Sequence, residues 1–102
     1  MAAPTKLAIG LVGYGEVGKI LAAALVERKA NWVGAWDILF ADPAACAAMK
    51  AHASHAGVEA VASMAALTSR ADVIISAVTA SQAWAVADEA ARTIRRGTWF
   101  MD

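Results

Sequence analysis

Glycines at positions 13, 15 and 18, spaced Gly-x-Gly-x-x-Gly, and an aspartate at position 37 are the residues of this chain whose types and spacing could do chemistry together. The spacing suits an anion. Gly13 allows a tight turn, Gly15 has no side chain to keep a pyrophosphate off the backbone, and Gly18 lets a helix pack closely on a strand. A helix starting there offers unpaired N–H groups and roughly half a positive charge, which attract phosphate without a lysine or arginine. A carboxylate about 20 residues further on, where Asp37 stands, can accept the hydroxyls of a ribose. The turn residues Gly13, Tyr14, Gly15, Glu16, Val17 and Gly18, together with Asp37, are therefore the candidate dinucleotide-binding set. The carboxylate favours NAD over NADP, whose 2'-phosphate would set negative charge against negative charge, and Ile38, Leu39 and Phe40 after it cannot neutralise a phosphate. The plain alternatives are a glycine-rich turn that binds nothing and an aspartate that ends a strand and faces water. The fingerprint has meaning only where a strand leads into the glycines and a helix leads out.

Both elements are legible. Leu7 to Val12 is apolar without alternation, as in a central parallel strand covered on both faces. From Val17 the period changes: Val17, Ile20, Leu21, Ala24 and Leu25 recur at helical spacing and predict the inward stripe, with Glu16, Lys19, Glu27 and Arg28 largely outside it. Asn31 to Asp37 reads as the second strand, carrying Trp32, Val33 and Trp36, with Gly34 marking a close approach. Asp42 and Pro43 read as cap and first turn of a helix running to about His55 and ended by Gly57, its inward stripe Cys46, Met49 and Ala53. His52 and His55 share a face at a spacing that could bind metal, but no third ligand is near, so both read as solvated and no metal site is assigned.

Val58 to Val61 reads as a short edge strand, and Ser63 as the cap of a short helix through Leu67. Asp72 opens a second buried run, Val73 to Val78, the other central strand. Ser81 can cap a helix with the inner stripe Ala83, Val86, Ala87, Ala90, Ala91 and Ile94 and an outer Asp88–Arg92 pair. Arg95 and Arg96 suit its negative end, Gly97 stops it, and Trp99 to Met101 begins a further strand. Alternating strands and helices specify one α/β domain over 1–102, a Rossmann doubly wound parallel sheet with expected order 3-2-1-4-5.

Nine basic and nine acidic residues among 102 leave no net charge, which argues against a nucleic-acid partner and for a small one. The single cysteine, Cys46, rules out an internal disulfide and fits a reducing cytoplasm. Leu7 to Leu25 is as long as a membrane span, and Lys6 could imitate the basic start of a signal peptide, yet Glu16 and Lys19 argue against both.

Taken together, IGLVGYGEVGKILAAAL, WDILF, ADVIISAVTA and GTWFMD resemble the N-terminal cofactor domain of the beta-hydroxyacid dehydrogenases, the group containing 3-hydroxyisobutyrate and 6-phosphogluconate dehydrogenases. The resemblance spans nearly the whole chain and implies an NAD(P)-binding domain of an oxidoreductase that transfers hydride between a 3-hydroxy acid and the nicotinamide. It implies that Val78 and Thr79 lie beside the nicotinamide ribose. Family members commonly have methionine or alanine at the position of Val17. They usually continue past the aspartate matching Asp102 into a substrate loop and an all-helical domain with a catalytic lysine. The chain therefore reads as the front of a dehydrogenase: no residue in it is assigned as catalytic, a 3-hydroxy acid is a partner only of a longer parent, and the chain alone is expected to bind without turnover. A stand-alone nucleotide-sensing module is the reading from another class, and methyltransferase or flavin versions of the fold are further alternatives.

Overall fold

Five consecutive apolar residues with no polar alternation are at home only in a strand covered on both faces, and Ala8–Val12 forms that strand, β1, buried along its whole length. In the computed structural model, which describes residues 7–101, β1 is the middle of a five-stranded parallel sheet. Asp102 and the lead-in at 1–6, with Pro4 and Lys6, lie outside the described residues. The remaining strands are β2 (Trp32–Trp36), β3 (Glu59–Ala60), β4 (Val73–Ser76) and β5 (Trp99–Met101). Their order is β3-β2-β1-β4-β5, the expected 3-2-1-4-5. β1 runs alongside β2 from Ala8 opposite Trp32 to Val12 opposite Trp36, and alongside β4 from Ile9 opposite Val73 to Val12 opposite Ser76. The strand order reverses at β1, and the carboxyl ends of β1, β2 and β4 finish level with one another.

Right-handed crossovers put helices on opposite faces once the winding direction changes. α1 (Glu16–Glu27) and α2 (Cys46–His55) cover one face, over a core of Leu11, Val33, Ala35, Phe40 and Val58 that takes in Ala22 and Ala53 from the helices. α3 (Met64–Thr68) and α4 (Ala80–Thr93) cover the other, where Met64, Leu67, Val86 and Ala90 meet Val12, Trp32 and Ile74. No helix among the described residues is long and apolar enough to cross a membrane.

Local expectations hold where a short-range bond decides them. Ser63 accepts from the Ala66 N–H at 3.0 Å as the cap of α3, Gly57 takes a positive φ of 82° after α2, and Arg92 pairs with Asp88 at 2.8 Å. Gly34 leaves room for the Trp32 ring, which a side chain there would strike.

Other boundaries and faces differ from the sequence reading. α1 does not bury the stripe read from its periodicity: Gly18 and Ala22 are buried, Leu21, Leu25 and Val26 are half-buried, and Val17 and Ile20 are 59% and 67% exposed. The small residues win because they let the helix axis come closest to the sheet, and that contact sets the rotation of the whole helix. Asp42 starts a separate turn, its carboxylate accepting from Ala44 N–H (2.9 Å) and its backbone carbonyl from Cys46 N–H (2.9 Å), and α2 starts at Cys46. α4 is capped at Thr79, two residues before Ser81, whose hydroxyl lies 3.1 Å from that of Thr79. The helix ends at Thr93 when Ile94 turns extended, so Gly97 serves instead in the turn into β5, with φ 89°. Arg95 does not serve the end of α4 either. It donates to the carbonyls of Thr68 (3.3 Å), the last residue of α3, and Ala71 (2.7 Å) just after it, and lies 3.6 Å from Asp72, whose other oxygen accepts from Ala8 N–H at 2.9 Å.

The core beneath α2 holds the one tyrosine of the chain. Tyr14 has no exposed surface, its hydroxyl lies 2.8 Å from His52 Nδ1, and its ring packs edge-on to the imidazole and tilted against Phe40. His52 is exposed, as expected, but is tied to the core by this bond. Burial pushes the phenol above its ordinary value of 10.0 because the charged form would lose its water. A raised folded value in a group that is neutral when protonated contributes stability below pH ~10 that is lost as pH rises through the folded value. An alkaline titration followed by tyrosinate absorbance should therefore show ionisation above that of free tyrosine, and Tyr14→Phe should cost about 1 kcal/mol at neutral pH for the lost hydrogen bond.

Candidate cofactor site

The turn from β1 into α1 is built by two close approaches. Gly13 adopts φ 102°, and a Cβ there would lie 2.6 Å from the carbonyl oxygen of Ala77, so the turn rests directly on the segment leaving β4. A Cβ on Gly18 would collide with the carbonyl oxygen of Gly13, so the first turn of α1 sits on the end of β1. Backbone bonds complete the frame: Gly13 N–H to the Trp36 carbonyl and Ala77 N–H to the Val12 carbonyl, both at 2.8 Å. Gly15 is different. It is the exposed N-cap of α1, and a Cβ there would meet nothing within 4 Å, so its missing side chain leaves open space in front of the helix. No side chain caps that end, and the first three N–H groups of a helix lack intrahelical acceptors.

Asp37, at the carboxyl end of β2, reaches across to this turn. Its Oδ2 accepts from Tyr14 N–H at 2.7 Å and its Oδ1 from Leu39 N–H at 2.9 Å, the second bond capping a single turn of 3-10 helix at Ile38–Ala41. A carboxylate has about four acceptor positions, so two remain for hydroxyl donors. Asp37 is thus neither a free surface charge nor a buried one: it is partly exposed and held in one orientation by two backbone donors.

Beside Asp37 a crevice of about 170 Å³ opens between the strand ends and α4. Val12, Trp36 and Ile38 form one wall, and Val78, Gln82, Ala85 and Glu89 form the other. A larger, open depression of about 610 Å³, among Asn31, Lys50, Ser54 and Glu59, lies at the amino-terminal edge of the sheet. In open α/β sheets ligands bind outside the carboxyl ends of the strands where the order reverses, and only the smaller crevice is there.

The structure brings Gly13, Gly15, Glu16, Val17, Gly18, Asp37 and Val78 to this one rim of the sheet. Thr79 follows as the exposed cap of α4. Tyr14 belongs to the rim only by its backbone, since its N–H is taken by Asp37 and its side chain points into the core. The α4 wall was missed in the sequence. Gln82, Ala85 and Glu89 do recur at the three- and four-residue spacing of one helix face, but that signal acquires meaning only once α4 is seen to start directly beside the glycine turn.

Fold and rim together define an NAD(P)-binding Rossmann domain. Residues 8–102 match the family described as NADP oxidoreductase, coenzyme F420-dependent, and the chain belongs to that family. Among solved structures, a conserved hypothetical protein from Sinorhizobium meliloti 1021 is 34% identical with a TM-score of 0.85, over 97% of this chain and 32% of that one. The 3-hydroxyisobutyrate dehydrogenase of Mycobacterium tuberculosis, solved with L-serine, shares the fold at 24% identity and a TM-score of 0.78, over 94% of this chain and 31% of that one. An imine reductase from Myxococcus stipitatus in complex with NADP+ shares it at 17% identity and a TM-score of 0.71, over 91% and 30%. The chain spans about a third of the length of these structures. No curated protein matches it.

The three glycines make separable demands. Gly18→Ala should lower stability by about 1–3 kcal/mol, the usual cost of overpacking, whereas Gly15→Ala should leave the thermal midpoint nearly unchanged. Melting curves of the two variants against the parent chain check this.

Proposed function

We propose that this chain is the cofactor-binding part of an NAD-dependent dehydrogenase whose whole protein acts on a small 3-hydroxy acid. The observation that carries the reading is Asp37, a pre-oriented carboxylate with two acceptor positions left, standing between the glycine turn and the crevice. The first-turn N–H groups of Glu16, Val17 and Gly18 would hold the pyrophosphate, and the empty space in front of Gly15 is the cradle that a side chain would fill. Asp37 would take the adenosine ribose hydroxyls. The largely apolar crevice between Ile38 and Ala85 would take the adenine, and Val78 and Thr79 would border the nicotinamide ribose. The cofactor, when bound, supplies the hydride chemistry; these residues supply position.

Preference for NAD follows from charge. The family description names NADP, but the crevice lining of this chain contains Asp37 and Glu89 and no lysine or arginine, a poor setting for a second phosphate. The same rim gives a methyltransferase cofactor no diphosphate to place on the helix end. A small-molecule partner needs neither nucleic acid nor membrane, and the unpaired Cys46 suits work in the cytoplasm.

Calorimetric titration with NAD, NADP and S-adenosylmethionine tests the reading. NAD should bind about tenfold or more tightly than NADP, on the order of 1.4 kcal/mol, and S-adenosylmethionine should give no heat. Gly15→Val should abolish dinucleotide binding with circular dichroism unchanged, and Asp37→Asn should narrow the gap between the two dinucleotides. Equal affinity for NAD and NADP in the parent chain would sink the assignment of Asp37. The chain by itself should bind without turnover, so NADH production from 3-hydroxy acids above a blank would overturn the division of labour proposed here.

A further inference from the structure

Among the described residues that line the crevice beside Asp37, three have carboxylate or amide side chains: Asp37, Gln82 and Glu89. Asp37 is committed to the Tyr14 and Leu39 N–H groups. The other two are not. Neither Gln82 nor Glu89 has a side-chain hydrogen bond or ion pair with any described residue, and Arg92, one turn beyond Glu89, is engaged by Asp88 at 2.8 Å. Gln82 and Glu89 share one face of α4 with Ala85. They stand about 10 Å apart along the helix axis, so they bracket a wall whose middle is a single methyl group. Opposite is Ile38, directly after Asp37 and 65% exposed, an apolar side chain that the core does not use. An apolar slot with an acceptor at one end and an amide at the other suits the edge of a heteroaromatic base. At about 170 Å³ it is well under the ~300 Å³ from which pockets take a whole drug-sized ligand, so it fits one ring system of a larger molecule.

The sugar fixes which edge of that ring system meets α4. With a ribose on Asp37, as in the dinucleotide reading on which this inference rests, the glycosidic bond lies on the Asp37 side. The six-membered ring of a purine, with its substituent on carbon 6, then points across the slot to Gln82 and Glu89. A carboxylate only accepts hydrogen bonds, whereas an amide both donates and accepts. Adenine presents an amino donor on carbon 6 beside ring-nitrogen acceptors. Hypoxanthine and guanine present a carbonyl oxygen there, which sets lone pairs against the carboxylate. We propose that Glu89 selects adenine, its carboxylate accepting from the 6-amino group while the Gln82 amide donates to a neighbouring ring nitrogen. A hydrogen bond to a carboxylate is roughly twice as strong as one between neutral groups, and Glu89 gives up no existing partner to make it. The two carboxylates of the crevice thereby divide the nucleoside between them: Asp37 reads the ribose and Glu89 reads the base.

Calorimetric titration of the 102-residue chain with NAD, nicotinamide hypoxanthine dinucleotide and nicotinamide guanine dinucleotide tests this, since the three differ only in the base. NAD should bind about tenfold or more tightly than the hypoxanthine form. Glu89→Gln, nearly the same size, should bring those two close to equal affinity, because an amide can donate to the carbonyl on carbon 6. The same variant should leave the thermal midpoint unchanged, as Glu89 has no partner to lose. Asp37→Asn should weaken the adenine and hypoxanthine forms alike and keep their ratio. Equal binding of NAD and the hypoxanthine form by the parent chain overturns the role of Glu89 and leaves the dinucleotide site standing, and so does a preference that survives Glu89→Gln. Tighter binding of the guanine form also overturns it, because the carboxylate then accepts from the two N–H positions of that base. A chain that takes none of the three loses the site and the proposal together.

Discussion

The carbonyl oxygen of Gly13 lies where a β-carbon on residue 18 would have to be. Because residue 18 is glycine, α1 can begin directly on the end of β1, and nearly everything around the site follows from that proximity. The helix is rotated so that Gly18 and Ala22 face the sheet. Its uncapped amino end stands over the carboxyl ends of the central strands, and Tyr14, between the close contacts, has its N–H turned to Asp37 and its ring sent down into the core beside His52 and Phe40. Moving the helix out by one methyl group would change the position of a rim that draws on three strands at once.

How much of this was legible depended on the range of the interaction. The glycine turn, the buried first strand, the Ser63 cap and the Asp88–Arg92 pair are decided by residues within a few positions of one another, and the sequence reading placed them correctly, whereas the second central strand, read as Val73 to Val78, ends at Ser76 with only Ile74 buried. Alternation of elements and the handedness of crossovers gave a doubly wound parallel sheet, and the glycine fingerprint with its distant aspartate pointed to the order 3-2-1-4-5 among the orders those rules allow. The face of α1 was misread because periodicity weights large apolar side chains, whereas closest packing on a sheet is done by small ones. Arg95 was read as serving its own helix, yet it serves the end of α3 and pairs with Asp72. Nothing local to residues 92–97 carries that information. The α4 wall of the crevice is of the same kind, since it exists only because the chain crosses the sheet after β3 and returns beside β1.

The doubly wound plan also explains why the two faces are finished so differently. Two crossovers toward β3 leave two helices on one face, and two crossovers back leave two on the other. The helices on the first face stop at β1, while β4 and β5 are added on the far side. A sheet that grows outward from its middle strand always has its latest strands covered on one side before the other. The solved structures that the chain resembles are about three times as long.

One consequence of the Asp37 geometry reaches beyond binding. The carboxylate proposed to read the ribose is also the acceptor for the Tyr14 and Leu39 N–H groups, so under that proposal selectivity and scaffold would share an atom group. A lineage, or an engineer, converting such a domain to a more negatively charged cofactor cannot simply delete the charge. The replacement must still accept two backbone protons, or the turn and the short helix after β2 lose their common brace. Small polar side chains that accept hydrogen bonds are therefore accessible first steps along that path, whereas a direct exchange for arginine first requires another acceptor to appear nearby.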